Sequence, residues 1–153
     1  MWQTPQVSRS PARAALGRDP GPHVAVKDLM MALTLLIADD NDLFVNALEG
    51  LLERESSIRV VARAANGEAA AQLAAELGPD VVLMDLSMPN IDGFEATSRI
   101  LKESPETAVV VLTGSDDPVD QERAKSAGAV GYVTKDRILV ELVETIYSVA
   151  SDR

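Results

Sequence analysis

The sequence predicts an α/β fold in which helices cover both faces of one parallel, five-stranded sheet. Two observations carry this prediction: five short apolar runs occur between residues 33 and 134, and a segment with helical periodicity follows each of them. Continuous apolar runs are typical of strands buried on both faces, and strict alternation of strand and helix is typical of parallel sheets. The crossovers should be right-handed, and ligands of such sheets bind at the edge where the carboxyl ends of the parallel strands meet.

The first strand–helix unit is predicted over residues 33–55. Residues 33–38 form a nearly continuous apolar run, and residues 42–55 repeat apolar side chains at helical spacing. This helix is expected to bury one side, made of Leu43, Phe44, Ala47, Leu48, Leu51 and Leu52.

Two further units follow, separated by residues that end regular structure. Residues 58–64 predict the second strand, and the alanine-rich residues 68–77 predict the next helix, which a Gly-Pro pair at 78–79 ends. Residues 80–84 predict a third strand, and a loop leads from it into a helix over residues 93–103.

The last two units have strands at residues 108–112 and 130–134. A short helix is predicted over residues 117–127, because its Asp-Pro start has the order of an N-cap and a first helical residue, and Gly128 ends it. Residues 137–150 predict a final amphipathic helix.

Composition limits the classes of function. The chain has 153 residues, of which 46% are hydrophobic, enough for one globular domain with its own core. It contains no cysteine, which excludes disulfides, thiolate zinc sites and cysteine nucleophiles. Its net charge of −10 disfavours direct DNA binding and suits a divalent cation. No membrane span and no secretory signal is recognisable, so a cytoplasmic location is expected.

Residues 1–32 differ from the rest of the chain. Four of the eight prolines lie there, and the segment has a net charge of +2, which leaves −12 for the remainder. We expect a disordered or mis-annotated tail, followed by one domain over residues 33–150 and a short end at 151–153. The single histidine, His23, lies in this tail and is not expected to bind a metal or carry a phosphoryl group.

Polar residues follow four of the predicted strands at the edge where the carboxyl ends meet. Asp39 and Asp40 follow the first strand, Asp85 the third, Thr113 the fourth, and Lys135 lies next to the end of the fifth. Each has an ordinary explanation alone, such as a helix cap, β-propensity or a solvated lysine. All five at one edge are much harder to obtain by chance.

These residue types suit phosphoryl transfer. Neighbouring carboxylates repel one another, and Mg²⁺, which prefers oxygen ligands, relieves that repulsion. A carboxylate can also attack phosphorus and form an aspartyl phosphate. A lysine ammonium and a threonine hydroxyl can then neutralise and hydrogen-bond the phosphoryl oxygens. The set has no general base, which suits an acyl phosphate that persists.

Four stretches resemble the receiver domains of bacterial response regulators in two-component systems: LLIADDN (35–41), VVLMDLSMPNIDGFEA (81–96), VVVLTGSDD (109–117) and GYVTKD (131–136). The resemblance covers about residues 33–150 and is of the kind seen in the nitrate-regulator group, whose receivers usually carry a helix-turn-helix output domain. It implies a flavodoxin-like (βα)5 doubly wound sheet, and the strand order is taken from the family. No output domain follows in this sequence, so a single-domain regulator is expected.

The resemblance implies that a sensor histidine kinase phosphorylates Asp85, or that a histidine phosphotransfer protein does so. It implies that Asp40, Asp85 and the backbone carbonyl of Ser87 bind Mg²⁺, with Asp39 assisting directly or through water. The residue at the position of Ser87 affects the phosphate lifetime in the family.

The resemblance also implies that Thr113 and Lys135 contact the phosphoryl group and that Tyr132 is a switch aromatic, which turns inward as Thr113 moves. Gly93 is expected to permit a backbone conformation that other residues resist, and Gly114 to keep the site open. The protein is expected to be a monomer or a phosphorylation-dependent dimer that acts on an unknown downstream protein, not an enzyme.

Three other functions share parts of this site. A phosphorelay intermediate would pass the phosphoryl group from Asp85 to a histidine of another protein. A Mg²⁺-dependent phosphohydrolase of the haloacid-dehalogenase type would normally have a second acid where this chain has Ser87. A receiver fold that had lost phosphorylation would only bind partners.

Overall fold

The chain forms one parallel sheet of five strands in the order β2-β1-β3-β4-β5, in a computed structural model that describes residues 32–152. The strands are β1 Leu33–Ala38, β2 Ile58–Ala64, β3 Val81–Asp85, β4 Ala108–Thr113 and β5 Gly131–Thr134. The helices are α1 Asp42–Leu52, α2 Gly67–Leu77, α3 Gly93–Glu103, α4 Pro118–Ala127 and α5 Ile138–Ser151, with a 3₁₀ turn at Lys135–Arg137. The predicted flavodoxin-like fold class is confirmed. The predicted tail, apart from Ala32, lies outside the described residues.

Both faces of the sheet are covered, which explains why its strands read as continuous apolar runs. Leu35 and Ile37 of β1 belong to a cluster with α1 and α5, whereas Leu36 and Ala38 belong to a cluster with α2 and α3 on the opposite face. Of the ten residues of α4, only Ala124 is buried. No helix within residues 32–152 is long and apolar enough to cross a membrane.

Only the end of α1 differs from the prediction by more than one residue. Helix α1 ends at Leu52 instead of residue 55, because the next residues form hydrogen-bonded turns, with Glu55 donating to the carbonyl of Leu52. The last helix begins one residue later than predicted, at Ile138, because the 3₁₀ turn precedes it. Gly78 and Gly128 end their helices in left-handed conformations, as helix-ending glycines commonly do.

The buried side of α1 was predicted too wide. Leu43 is 81% exposed and Ala47 is also exposed, whereas Val45, which was left out of the predicted face, is buried. Val45, Leu48 and Leu52 follow one another at spacings of three and four, so they form the stripe that meets the sheet. Leu43 is two residues from Val45 and therefore lies on roughly the opposite side of the helix.

Gly93 is required for close packing, and the predicted reason, an unusual backbone conformation, is wrong. Among the described glycines, left-handed φ values occur at Gly78 and Gly128, not at Gly93. A Cβ at residue 93 would collide with the carbonyl oxygen of Asp85 and would lie 2.8 Å from the Cα of Leu86. The start of α3 therefore presses directly on the backbone of the Asp85 strand end.

Replacing Gly93 with alanine is expected to lower the free energy of unfolding by roughly 1–3 kcal/mol, because the atoms in the way are backbone. Gly50→Ala is the matched control, since a Cβ at this exposed helical position meets nothing within 4 Å. That change should raise the free energy of unfolding by about 0.5–1 kcal/mol through helix propensity. Urea unfolding measures both, and shifts in the same direction would contradict the packing role of Gly93.

Candidate functional site

Strand pairing places the site residues at one edge of the sheet. Ala38 pairs with Met84, so Asp39 and Asp85 are the next residues on neighbouring strands. Asp85 in turn pairs with Leu112, which puts Thr113 one position further along β4. Lys135 follows β5 directly and opens the 3₁₀ turn. The edge predicted from the sequence therefore forms, and it gathers side chains from four strands.

Three carboxyl groups converge at this edge. Asp39, Asp40 and Asp85 each offer one oxygen, and these oxygens all lie within 4.8 Å of one another. Asp39 and Asp85 are buried, with relative exposures of 5% and 7%, whereas Asp40 is exposed. Two of the three charges are therefore largely withdrawn from solvent.

Lys135 bridges the two buried carboxyl groups. Its Nζ lies 2.9 Å from Oδ2 of Asp39 and 3.4 Å from Oδ1 of Asp85. Burial by itself would lower the pKa of Lys135, but the hydrogen bond to Asp39 and the charge of Asp85 outweigh it and raise that pKa. The same Nζ also lies 4.2 Å from the centroid of the Phe44 ring. Lys135 is therefore a firmly charged group with three close neighbours.

Asp85 is the carboxyl group whose charge the fold opposes. Burial raises its pKa above the ordinary aspartate value, and the charge of Asp39 raises it further. Lys135 and a hydrogen bond from the backbone N–H of Ser87 act against this rise without cancelling it. A further positive charge close to Asp85 would therefore stabilise its ionised form.

Asp39 is fixed by two donors. Its Oδ1 accepts the backbone N–H of Asn41 at 2.9 Å, and its Oδ2 accepts the Lys135 ammonium. Asn41 is also the N-cap of α1, since its side chain accepts the N–H of Phe44 at 3.0 Å. The cap therefore ties the first turn of α1 to the acidic cluster.

The donor set fits a hard divalent cation. Three carboxylates facing one ammonium leave two negative charges, and carboxylate oxygens are ligands that Mg²⁺ accepts. Asp39, Asp40 and Asp85 are the residues that would hold it. Ser87 is exposed in the loop after β3, and the contribution of its carbonyl to metal binding stays a prediction.

Thr113 and Tyr132 meet at Ser115, a residue that the sequence interpretation did not single out. The buried Thr113 Oγ1 accepts the N–H of Ser115 at 3.1 Å, and the Tyr132 hydroxyl donates to the carbonyl of Ser115 at 2.9 Å. Tyr132 is partly buried and packs against the cluster of Leu86, Val111 and Ala124. Both predicted residues therefore lie on one connected path, while their roles in switching stay predictions.

A family model described as the response regulator receiver domain matches residues 35–147. The chain is 41% identical over 117 residues to the response regulator GacA of Pseudomonas aeruginosa, covering 76% of this chain and 55% of GacA. It is 38% identical over 113 residues to YhcZ of Bacillus subtilis, named an uncharacterized transcriptional regulatory protein, covering 74% and 53%. The chain spans about half the length of these curated relatives.

Solved structures show the same fold. The signal receiver domain of the putative response regulator NarL from Mycobacterium tuberculosis superposes with a TM-score of 0.75 at 30% identity, covering 80% of this chain and 98% of that one. The response regulator domain of Thermotoga maritima CheB gives a TM-score of 0.74 at 28% identity, covering 78% and 97%.

Asp85→Asn is expected to raise the free energy of unfolding at pH 7 in metal-free buffer. Because the pKa of Asp85 is raised in the folded protein, its stabilising contribution is complete below the ordinary value of 3.8 and is lost as the pH rises through the raised pKa. At pH 7 the wild type therefore carries a penalty that the amide avoids.

The advantage of Asp85→Asn should shrink as the pH is lowered towards 3.8, which urea unfolding at a series of pH values measures. Asp116→Asn, the same change at an exposed carboxylate, is the control and should stay within about 0.5 kcal/mol of the wild type. Equal or lower stability of Asp85→Asn at pH 7 would contradict the electrostatic picture.

Mg²⁺ is expected to stabilise the wild-type protein, because it would bind the folded carboxylate cluster and not the unfolded chain. At a concentration about 100 times its dissociation constant, it should add about 2.7 kcal/mol to the free energy of unfolding. Asp85→Asn should gain less, whereas Asp116→Asn should respond like the wild type. Thermal unfolding with KCl at matched ionic strength separates this effect from charge screening, and equal gains in all three proteins would rule out the site.

Proposed function

The chain belongs to the response regulator receiver domain family, and on this premise we propose that it is a switch whose Asp85 accepts a phosphoryl group from a sensor histidine kinase. One observation carries the proposal: Asp85 lies buried at a strand end, close to other carboxylates that can share a cation and beside a lysine that can neutralise phosphoryl oxygens. The kinase would meet this domain in the cytoplasm.

In the proposed transfer, a carboxylate oxygen of Asp85 attacks the phosphorus of a phosphohistidine. A new P–O bond forms as the P–N bond breaks, and the leaving imidazole takes up a proton from water. A Mg²⁺ ion held by Asp39, Asp40, Asp85 and the Ser87 carbonyl would supply positive charge to the phosphoryl oxygens.

The residues opposite the acids complete the proposed phosphoryl site. The Lys135 ammonium, 3.4 Å from Oδ1 of Asp85, needs only a small movement to contact an oxygen of a group attached there. The Thr113 hydroxyl would donate to another phosphoryl oxygen. The five predicted site residues include no general base that would activate water for hydrolysis, so the aspartyl phosphate would persist.

The connection through Ser115 supports an outward signal. If the Thr113 hydroxyl turns to the phosphoryl group, the N–H of Ser115 loses its acceptor, and the carbonyl of the same residue holds the Tyr132 hydroxyl. A shift at Asp85 would thus reach Tyr132 and the surface of α4, β5 and α5, where a downstream protein would read it. The partner that binds this surface could also be a second copy of the chain, which would give a phosphorylation-dependent dimer.

That the receiver acts as a single domain stays a prediction, because its curated relatives are about twice as long as the matched region. The mass of the native protein in its own cells tests it. A mass well above that of 153 residues would place a further domain on the same chain.

Incubation with Mg²⁺ and acetyl phosphate should add one phosphoryl group to the wild-type protein, as intact mass measures. Asp85→Asn should gain none, because an amide is not a nucleophile towards phosphorus, and Asp116→Asn should be modified like the wild type. An equal adduct on Asp85→Asn, or no adduct on the wild type, would overturn the proposal. Rapid transfer of the phosphoryl group from Asp85 to a histidine phosphotransfer protein, seen as loss of the added mass, would identify the phosphorelay alternative.

A further inference from the structure

Phe44 contacts the site from a helix that contributes no ligand to it. It lies in the first turn of α1, is partly buried, and its ring centroid is 4.2 Å from Nζ of Lys135. Its backbone N–H bonds to Asn41, whose own N–H bonds to Asp39. The backbone that carries the ring is therefore tied to the acidic cluster.

The three neighbours of the Lys135 ammonium differ in what they offer a metal ion. Asp39 and Asp85 belong to the carboxylate cluster that would hold Mg²⁺, so ammonium and metal would draw on the same two carboxyl groups. The face of the Phe44 ring attracts an ammonium through its quadrupole and offers Mg²⁺ no ligand. Of the three contacts, this one can persist unchanged when a metal binds.

We propose that Phe44 is a positioning residue for Lys135: its ring keeps the ammonium beside Asp85 when the carboxylates turn to the metal, so that Lys135 is ready to contact the incoming phosphoryl group. The inference rests on the proposed function and adds a residue to it. Lys135 has a long, flexible stem and a side chain that is 28% exposed, so without a third contact its ammonium could leave for water.

The ring also packs against the core cluster of α1 and α5, so its substitution must separate electrostatics from packing. Phe44→Leu keeps an apolar side chain and removes the aromatic face. Phe44→Tyr keeps the face with the smallest change of shape. If the role of Phe44 is purely structural, the phosphorylation rates of both variants should change in step with their free energies of unfolding. If Phe44 positions Lys135, the phosphorylation rate should depend on whether the aromatic face is present.

The central measurement compares the phosphorylation rate with acetyl phosphate at saturating Mg²⁺. Phe44→Leu is expected to react roughly threefold to tenfold more slowly than the wild type, the range that loss of one cation–π contact gives, and Phe44→Tyr within about twofold of it. Mg²⁺ affinity of the unphosphorylated protein, from calorimetry, should be unchanged or tighter in Phe44→Leu. An unchanged rate, or a parallel loss of Mg²⁺ affinity, would overturn the proposal.

A second readout does not depend on phosphorylation. In ¹H–¹³C spectra of the metal-free and Mg²⁺-bound proteins, the ring current should shift the ε-CH₂ protons of Lys135 upfield in the wild type and in Phe44→Tyr, but not in Phe44→Leu. Phe94→Leu, the same change at the ring under Arg123, is the control and should leave this shift in place. Loss of the shift when Mg²⁺ binds the wild type would contradict persistence of the contact.

The two proposals fail separately. If the wild type takes up no phosphoryl group, the proposed function fails regardless of the ring-current result. If the wild type is phosphorylated and Phe44→Leu matches its rate, the role of Phe44 fails alone.

Discussion

The excess of negative charge at one sheet edge is the constraint on which the site depends. Parallel pairing of β1 with β3 places Asp39 and Asp85 side by side. Because both carboxylates are buried, water screens the repulsion between their charges only weakly. Lys135 contacts both and offsets one charge, which leaves an edge that folds with its acids in place and still attracts a cation. Stability and the proposed function therefore oppose each other at Asp85, since its ionised form lowers stability and is the form that proposed phosphoryl transfer requires.

Two glycines allow close backbone contacts that restrict the loop after Asp85. Gly67 at the start of α2 lies so close to Ile91 that a Cβ there would be 2.5 Å from the Ile91 carbonyl oxygen. Gly93 at the start of α3 presses on the carbonyl of Asp85 in the same manner. The loop between Asp85 and α3 is thus held at both its ends, and Asn90, with a φ of 73°, makes the turn between them. This would favour the proposed role of Asp85 as phosphoacceptor, because its orientation would be set before a phosphoryl donor binds.

The fold and the strand-end residues could be predicted because both follow from one-dimensional patterns. Apolar runs define strands, and the residue after each run must lie at the common edge of a parallel sheet. Contacts between elements have no such pattern. The sequence marked Phe44 as apolar without indicating that its ring meets Lys135, and it marked Leu43 as buried because periodicity shows an apolar side without showing how much of it the sheet covers. Gly93 was singled out for the wrong reason, since close approach of another backbone leaves no local signal.

Ser115 and α4 connect the site edge to the surface of the domain. The N–H of Ser115 donates to Thr113, and its carbonyl accepts from the Tyr132 hydroxyl. One residue is therefore hydrogen-bonded to the site edge on one side and to the aromatic side chain on the other. The helix that follows buries only Ala124 and rests its Arg123 guanidinium 3.9 Å above the Phe94 ring, a contact with the helix that begins against Asp85. Because α4 buries so little, displacing it should cost little free energy, and shifts of a few kcal/mol suffice to redistribute two states of a protein. The strongly held edge and the weakly held helix are therefore complementary parts of one proposed switch.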